Sequence, residues 1–290
     1  MDKIKDNLLN EDIRSRVYGI ERLGTMPQVA WRLMQALGDD RATANSLEKI
    51  IGSDPALASK TISLANSAFY GLSRKVSTIS RAVVVIGFQE LRLLAMGAGL
   101  TEVFDLSVVP PGLDGRGLWF HCLATAWAAG ELAEASGHPS PGEAMTSGLL
   151  HDLGKLVLLT HLLDQYRLVH GLVQQGLPLY QAEERLGLEH AAIGFWLAER
   201  WGLPGVHAAA IRDHHLPQIG DPFFPSTCLV FLADRVAARL GFGQPGEGPP
   251  TDPGLALKTV GLGKAELRAL LEKGKRELPA KVEAWESMLF

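Results

Sequence analysis

The stretch Gly148-Leu149-Leu150-His151-Asp152-Leu153-Gly154-Lys155 decides how this chain is read. The His-Asp pair sits in an otherwise apolar, helical context, where a free carboxylate is costly to bury. Asp152 therefore needs a compensating charge. A divalent metal supplies one, because imidazole nitrogen and carboxylate oxygen together suit Fe, Mn or Zn. The pair alone is weak evidence: with nine histidines in the chain, chance gives about 0.4 His-Asp dipeptides. A buried ion pair or a hydrogen-bonded helix contact is the plainer alternative.

Working outward, further residues of the same chemistry come in order: His121 near a helix start, His190 in Leu188-Glu189-His190-Ala191, His214-His215 after Ile211-Arg212-Asp213, and Asp234 in Leu232-Ala233-Asp234-Arg235. Histidines and aspartates spread over separate helices can converge on one pocket, as ligand sites inside helical bundles do. Lys155, three residues beyond Asp152, shares its helical face and can meet a phosphate or another anion. Each residue also has a plainer reading. His190, on a helix with Ile193, Trp196 and Leu197, has the pattern of a satisfied core histidine. His214 and His215 project roughly 100° apart if helical, so one can ligate while the other donates a hydrogen bond or contacts substrate. Asp234 has Arg235 and Arg239 as alternative partners. His138, His161, His170 and His207 fit no ligand spacing, and Trp119, Trp127, Trp196 and Trp201 read as core. Asn66-Ser67 has no neighbouring base and reads as a helix end.

The 290 residues are 47% hydrophobic and 21% charged, the usage of a folded globular protein. Acidic residues number 32 against 28 basic, a net charge of −4, and the only basic cluster is the short Lys273-Gly274-Lys275-Arg276 run. That balance excludes a non-specific nucleic-acid binder. Cys122 and Cys228 have neither metal nor disulfide-framework spacing and suit a reducing cytosol. The start, Met1-Asp2-Lys3-Ile4-Lys5-Asp6, is too charged for a signal peptide, and the longest clean apolar run, Leu93 to Leu100, is far short of the ~18 residues of a membrane span. A cytoplasmic protein without membrane contact is expected.

Helical periodicity dominates, so the expected fold is all-α, about a dozen helices with no sheet. The β-flavoured run Val83-Val84-Val85-Ile86 lies between Thr78, a plausible N-cap, and Gly87, a plausible C-terminal glycine, and reads as the buried part of a short helix. Residues 1–22 form a lead helix and 23–105 a lobe of short helices. The linker Val109-Pro110-Pro111-Gly112-Leu113-Asp114-Gly115 follows. Longer helices hold all nine histidines. The Gly- and Pro-rich stretch 241–250 is a loop, and two helices near 263–275 and 279–289 close the chain.

Taken together, these residues resemble the HD superfamily, and specifically the HD-related output domain (HDOD) family of bacterial signalling proteins, over residues 23–219. One half of the resemblance is Asp54-Pro55-Ala56-Leu57, Leu64-Ala65-Asn66-Ser67-Ala68-Phe69-Tyr70-Gly71, Ile79-Ser80-Arg81-Ala82-Val83 and Ile86-Gly87. The other, an HD-like lobe over 116–219, is Gly148 to Lys155, Glu189-His190-Ala191-Ala192-Ile193-Gly194, Trp201-Gly202-Leu203-Pro204 and His214-His215. Residues 220–290 are a helical extension completing that lobe. The resemblance implies a multi-helical bundle acting as a signalling output or interaction module with a protein partner. His121, His151, Asp152, His190, His214, His215 and Asp234 match ligand positions of the related HD-GYP phosphodiesterases, which implies one or two Fe, Mn or Zn ions and a nucleotide or phosphate ligand. The alternative is a metal-dependent phosphohydrolase in which Lys155 or His215 steadies developing charge. After His215 the chain reads Leu216-Pro217-Gln218-Ile219 in place of the Glu and Gly-Tyr-Pro signature, and Gly117 stands where some of those enzymes have a further glutamate ligand. Both departures argue against cyclic dinucleotide hydrolysis.

Overall fold

A computed structural model of the protein describes residues 2–37, 43–110, 113–243 and 248–289, and among them every regular element is helical. In order these are α1 (Asp2–Gly19), α2 (Gln28–Leu37), α3 (Ala44–Gly52), α4 (Pro55–Ala65), α5 (Ile79–Ile86), α6 (Phe88–Thr101), α7 (Gly115–Ser136), α8 (Pro141–Leu150), α9 (Leu153–His161), α10 (Leu163–Gln174), α11 (Leu179–Leu186), α12 (His190–Trp201), α13 (Gly205–Asp213), α14 (Phe224–Arg239), α15 (Gly254–Val260) and α16 (Lys264–Leu289). Prolines punctuate the starts. Pro55 and Pro141 open α4 and α8, and Pro178 and Pro204 cap α11 and α13, positions where a missing N–H costs no helical bond. No single helix among the described residues is long and apolar enough to cross a membrane.

Two compact units result: Met1–Thr25 with Phe104–Leu271, and Met26–Val103 with Glu272–Phe290. This grouping differs from the sequence reading at both ends. The lead segment joins the larger unit because Arg200 Nη1 donates to the Val17 and Ile20 carbonyls at 2.9 and 3.2 Å and Trp201 Nε1 to that of Leu23 at 2.8 Å. Of the expected extension 220–290, the part up to Leu271 stays with the larger unit, but the end of the chain does not. It joins the smaller unit, where Glu90 accepts from Lys281 Nζ at 2.7 Å and Trp285 Nε1 at 2.9 Å. Nor is it two helices, since α16 runs through Pro279 unbroken.

In the larger unit, glycines let backbones meet. A Cβ at Gly148 would lie 2.8 Å from Ala126 Cα, so α8 packs directly on α7. A Cβ at Gly154 would overlap the carbonyl of His190, and one at Gly194 would lie 2.8 Å from Gly154 N. This contact of α9 with α12 brings Asp152 towards His190. In the smaller unit, the Thr78 side chain caps α5 by accepting from Arg81 N, and Gly87 ends it at φ +92°. Val83 and Ile86 are buried as expected, but Val84 is 72% exposed, because successive residues lie about 100° apart around a helix and α5 is packed on one side. Asn66 caps α4, and its amide accepts from Val76 N at 2.7 Å and donates to Val76 O at 2.8 Å, closing the turn through Gly71. Residues 111–112 of the expected linker and 244–247 of the expected loop lie outside the described residues.

Candidate metal centre

All seven expected ligands come together within the larger unit. His121 projects from α7 and Asp234 from α14, His151 caps the C-terminus of α8, Asp152 precedes α9, His190 opens α12, and His214 caps the C-terminus of α13. Four of them thus stand at helix termini, where a side chain can reach inward without entering a neighbouring turn. His214 and His215 lie in a turn beyond α13. The separation of helical neighbours does not apply there, and both rings face the centre.

The hydrogen bonds on the outer ring nitrogens fix the chemistry. His121 Nδ1 faces the Phe242 carbonyl at 3.2 Å, His151 Nδ1 that of Gly148 at 2.7 Å, and His214 Nδ1 that of Ile211 at 2.9 Å. A carbonyl only accepts, so each Nδ1 carries a proton, and each of these rings, once its Nε2 is deprotonated, turns a lone pair inward. His190 Nδ1 donates to the Glu183 carboxylate, at 2.6 Å to Oε2, with the same result. The inward Nε2 atoms then lie 3.1 Å apart for His121 and His151, 3.3 Å for His190 and His214, and 3.0 Å for His190 and His215. Where both rings carry their proton on the outer nitrogen only, lone pair faces lone pair, and a cation between them, a proton as on His121 or a metal ion, removes the conflict.

Asp152 divides its two oxygens between two groups. Oδ2 lies 3.4 Å from His121 Nε2 and from His151 Nε2 and accepts from Lys155 Nζ at 2.9 Å. Oδ1 lies 3.4 Å from His190 Nε2 and 3.6 Å from His214 Nε2, yet this buried oxygen has no hydrogen-bond partner. Asp234 Oδ1 sits 3.3 Å from His121 Nε2. The alternative partner Arg235 instead places its guanidinium over Phe231 at 3.7 Å. His121, His151 and Asp234 can each offer one donor atom to a single ion, as can His190, His214 and His215, and as can His151, Asp152 and His214. The donor set therefore fits one or two divalent cations. An unpartnered buried carboxylate oxygen among converging lone pairs is what such an ion would satisfy.

The electrostatics agree. Burial works to lower the His121 pKa, but hydrogen bonds to Asp152 and Asp234 outweigh it and push the imidazole up to about 10. Burial would raise the Asp152 carboxyl, yet His151, Lys155 and His121 hold it well below the usual range. His214, buried beside His151, drops to about 3. The two acids thus need positive charge nearby, and a bound cation meets that need with release of the proton from His121.

Sequence reading missed two supports. Glu183 shares a helix face with Leu179 and Leu186, and its burial is the signal that separates it from the neighbouring Glu184. The Phe242 carbonyl has no side-chain signature, although Gly243 leaves a clue: a Cβ there would lie 2.6 Å from His121 Nδ1. Gly117 holds no metal ligand, as the departure at that position implies. Its N–H donates to Asp114 Oδ1 at 2.7 Å, capping α7. A cavity of about 540 Å³ opens beside the centre, reaching His121, Lys155 and Glu183 and walled by Leu159, Tyr166 and Val169.

Comparisons with known proteins follow the same lines. A protein of Treponema pallidum (strain Nichols), named only as uncharacterized, is 27% identical over 237 residues, covering 79% of this chain and 45% of that protein. The chain thus spans about half the length of that relative. An HDOD domain protein of unknown function from Geobacter sulfurreducens superposes with a TM-score of 0.80 at 26% identity, covering 96% of this chain and 97% of its own. A protein from Marinobacter aquaeolei VT8, named for signal transduction, gives 0.81 at 25% identity, over 99% of this chain and 67% of its own. The HDOD domain model matches residues 23–217, more than half of the sequence, and the chain belongs to the HDOD family.

Proposed function

We propose that the chain is a bacterial signalling output module of HDOD type, cytoplasmic, whose HD-like lobe binds one or two Fe, Mn or Zn ions and passes its state to a protein partner. The observation that carries the metal assignment is the unpartnered Asp152 Oδ1 amid inward-facing Nε2 atoms of His190 and His214. Family membership and the signalling name of the Marinobacter relative support the module reading. The buried free thiols Cys122 and Cys228 fit a reducing compartment.

A second reading, a metal-dependent phosphohydrolase, has one observation in its favour. The cavity of about 540 Å³ that reaches His121 and Lys155 is large enough for a nucleotide or another phosphate ligand. A bound divalent cation supplies Lewis acidity at such a place. Lys155, its ammonium fixed 2.9 Å from Asp152 Oδ2, would hold negative charge developing on a phosphate. His215 Nδ1, buried without a partner, would hold or pass a proton.

The two readings separate on one experiment. Protein loaded with Mn or Fe is given a nitrophenyl phosphomonoester, a phosphodiester and a cyclic dinucleotide. No turnover above that of the Asp152→Ala variant supports the module. Turnover that requires His151 and Asp152 supports the hydrolase.

A further inference from the structure

The Phe69-Tyr70-Gly71 run belongs to the smaller unit, away from the metal ligands in sequence, and it does a separate job. The rings of Phe69 and Tyr70 meet edge to face with centroids 4.8 Å apart, and Gly71, at φ +57°, turns the chain away beyond them. Glu90 in α6 gathers three donors. Its Oε2 accepts from Lys281 Nζ at 2.7 Å, and its Oε1 from Trp285 Nε1 at 2.9 Å and from Tyr70 Oη at 3.3 Å. Lys281 Nζ also lies 5.3 Å from the Phe69 ring centre, a cation over an aromatic face. Leu278 and Trp285 are buried. Leu278, Lys281 and Trp285 follow the three- and four-residue spacing of one helix face.

The segment providing this face is weak as a helix. Gly274 and Pro279 are the two residue types least suited to a helix interior, and no apolar residue occurs between Glu272 and Glu277. Its helical state therefore depends on docking at Glu90. The segment also lies beyond the residues 23–217 that define the family match.

We propose that Phe69, Tyr70 and Glu90 form a helix-docking site that residues 278–289 fill from within the same chain, and that a helix of a partner protein can exchange for them. The partner helix is defined by chemistry: a leucine, a lysine and a tryptophan spaced as in Leu278, Lys281 and Trp285. The lysine meets Glu90 and covers Phe69, and the indole N–H reaches the second Glu90 oxygen. Once the internal helix leaves, Glu90 retains Tyr70 and loses its two strongest donors, so the site favours a replacement that restores both.

The test uses the full-length chain and, as probe, a fluorescent peptide of residues 272–290. The double variant Lys281→Ser/Trp285→Ala frees the site, and it should bind the peptide saturably and at least about tenfold more tightly than wild type, whose own helix competes at high effective concentration. Glu90→Ala added to that variant, or Lys281→Glu in the peptide, should abolish binding. The proposal is overturned if the double variant melts cooperatively yet does not bind, if wild type binds equally well, or if Glu90→Ala changes nothing. Should the double variant fail to fold, hydrogen exchange on wild type decides. Amides of 278–289 exchanging at least about tenfold faster than those of α6 support an exchangeable helix, and equal protection refutes it.

Discussion

Asp152 and Glu90 are both carboxylates drawn into helical packing, and the chain meets them in opposite ways. Glu90 is surrounded by groups that bring protons: an ammonium, an indole N–H and a phenol. Its demand is complete within the protein. Asp152 has an ammonium on Oδ2, but Oδ1 faces the Nε2 atoms of His190 and His214, whose protons are held on the far side of each ring. One cluster balances donors and acceptors and holds a helix. The other has acceptors in surplus, which is the composition of a cation receptor.

Removing the shared acceptor should break the contrast most completely. Asp152→Ala is expected to lose bound metal and with it the metal-dependent gain in stability, about 4 kcal/mol when free metal is a thousandfold above its dissociation constant; metal analysis and thermal melting together read this. Next in size is Gly154→Ala. The added methyl overlaps the His190 carbonyl, and α9 cannot shift from α12 without moving Asp152. Chemical denaturation should show a loss of roughly 3 kcal/mol or more, together with weakened metal binding. Glu183→Gln tests the supporting layer: a neutral acceptor holds His190 less firmly, and affinity at His190, His214 and His215 should fall about 10- to 100-fold while His121, His151 and Asp234 retain theirs. Competitive titration resolves two classes of site if so.

A further effect, spread over a range of pH, concerns acid. His207 is buried against the Ser147 hydroxyl at 2.8 Å, and burial lowers its pKa to about 4. The unfolded chain, with the ordinary histidine value near 6.5, binds the proton first as pH falls. Stability from this residue is thus complete above about pH 6.5 and is lost between there and about pH 4, by up to roughly 1.4 kcal/mol per pH unit. The His207→Gln variant should show a flatter profile over that window in chelator-treated protein.

Much of the centre was legible because His and Asp are rare on apolar helical faces, so His151-Asp152 and His214-His215 stood out, and the ordered motifs around them carried the rest. Glu183 was not legible. Glutamate is ordinary on an amphipathic helix, and only packing reveals that this one is buried. The Phe242 carbonyl is a backbone group that any residue would supply. At fold level the helical class followed from periodicity, and Thr78 and Gly87 bound α5 as their chemistry suggests. The path of the chain's end did not follow, because Pro279 reads as a break until Trp285 and Lys281 are seen anchored on Glu90.

The central claim is that the histidine cluster is a cation receptor, and the most direct measurement is the metal content of wild-type protein purified without chelator, combined with its melting before and after adding Mn, Fe or Zn. The expected result is at least one ion per chain and a higher melting temperature on adding metal to stripped protein, both absent in Asp152→Ala. Metal content near zero, with melting unchanged by any of the three ions, would contradict it.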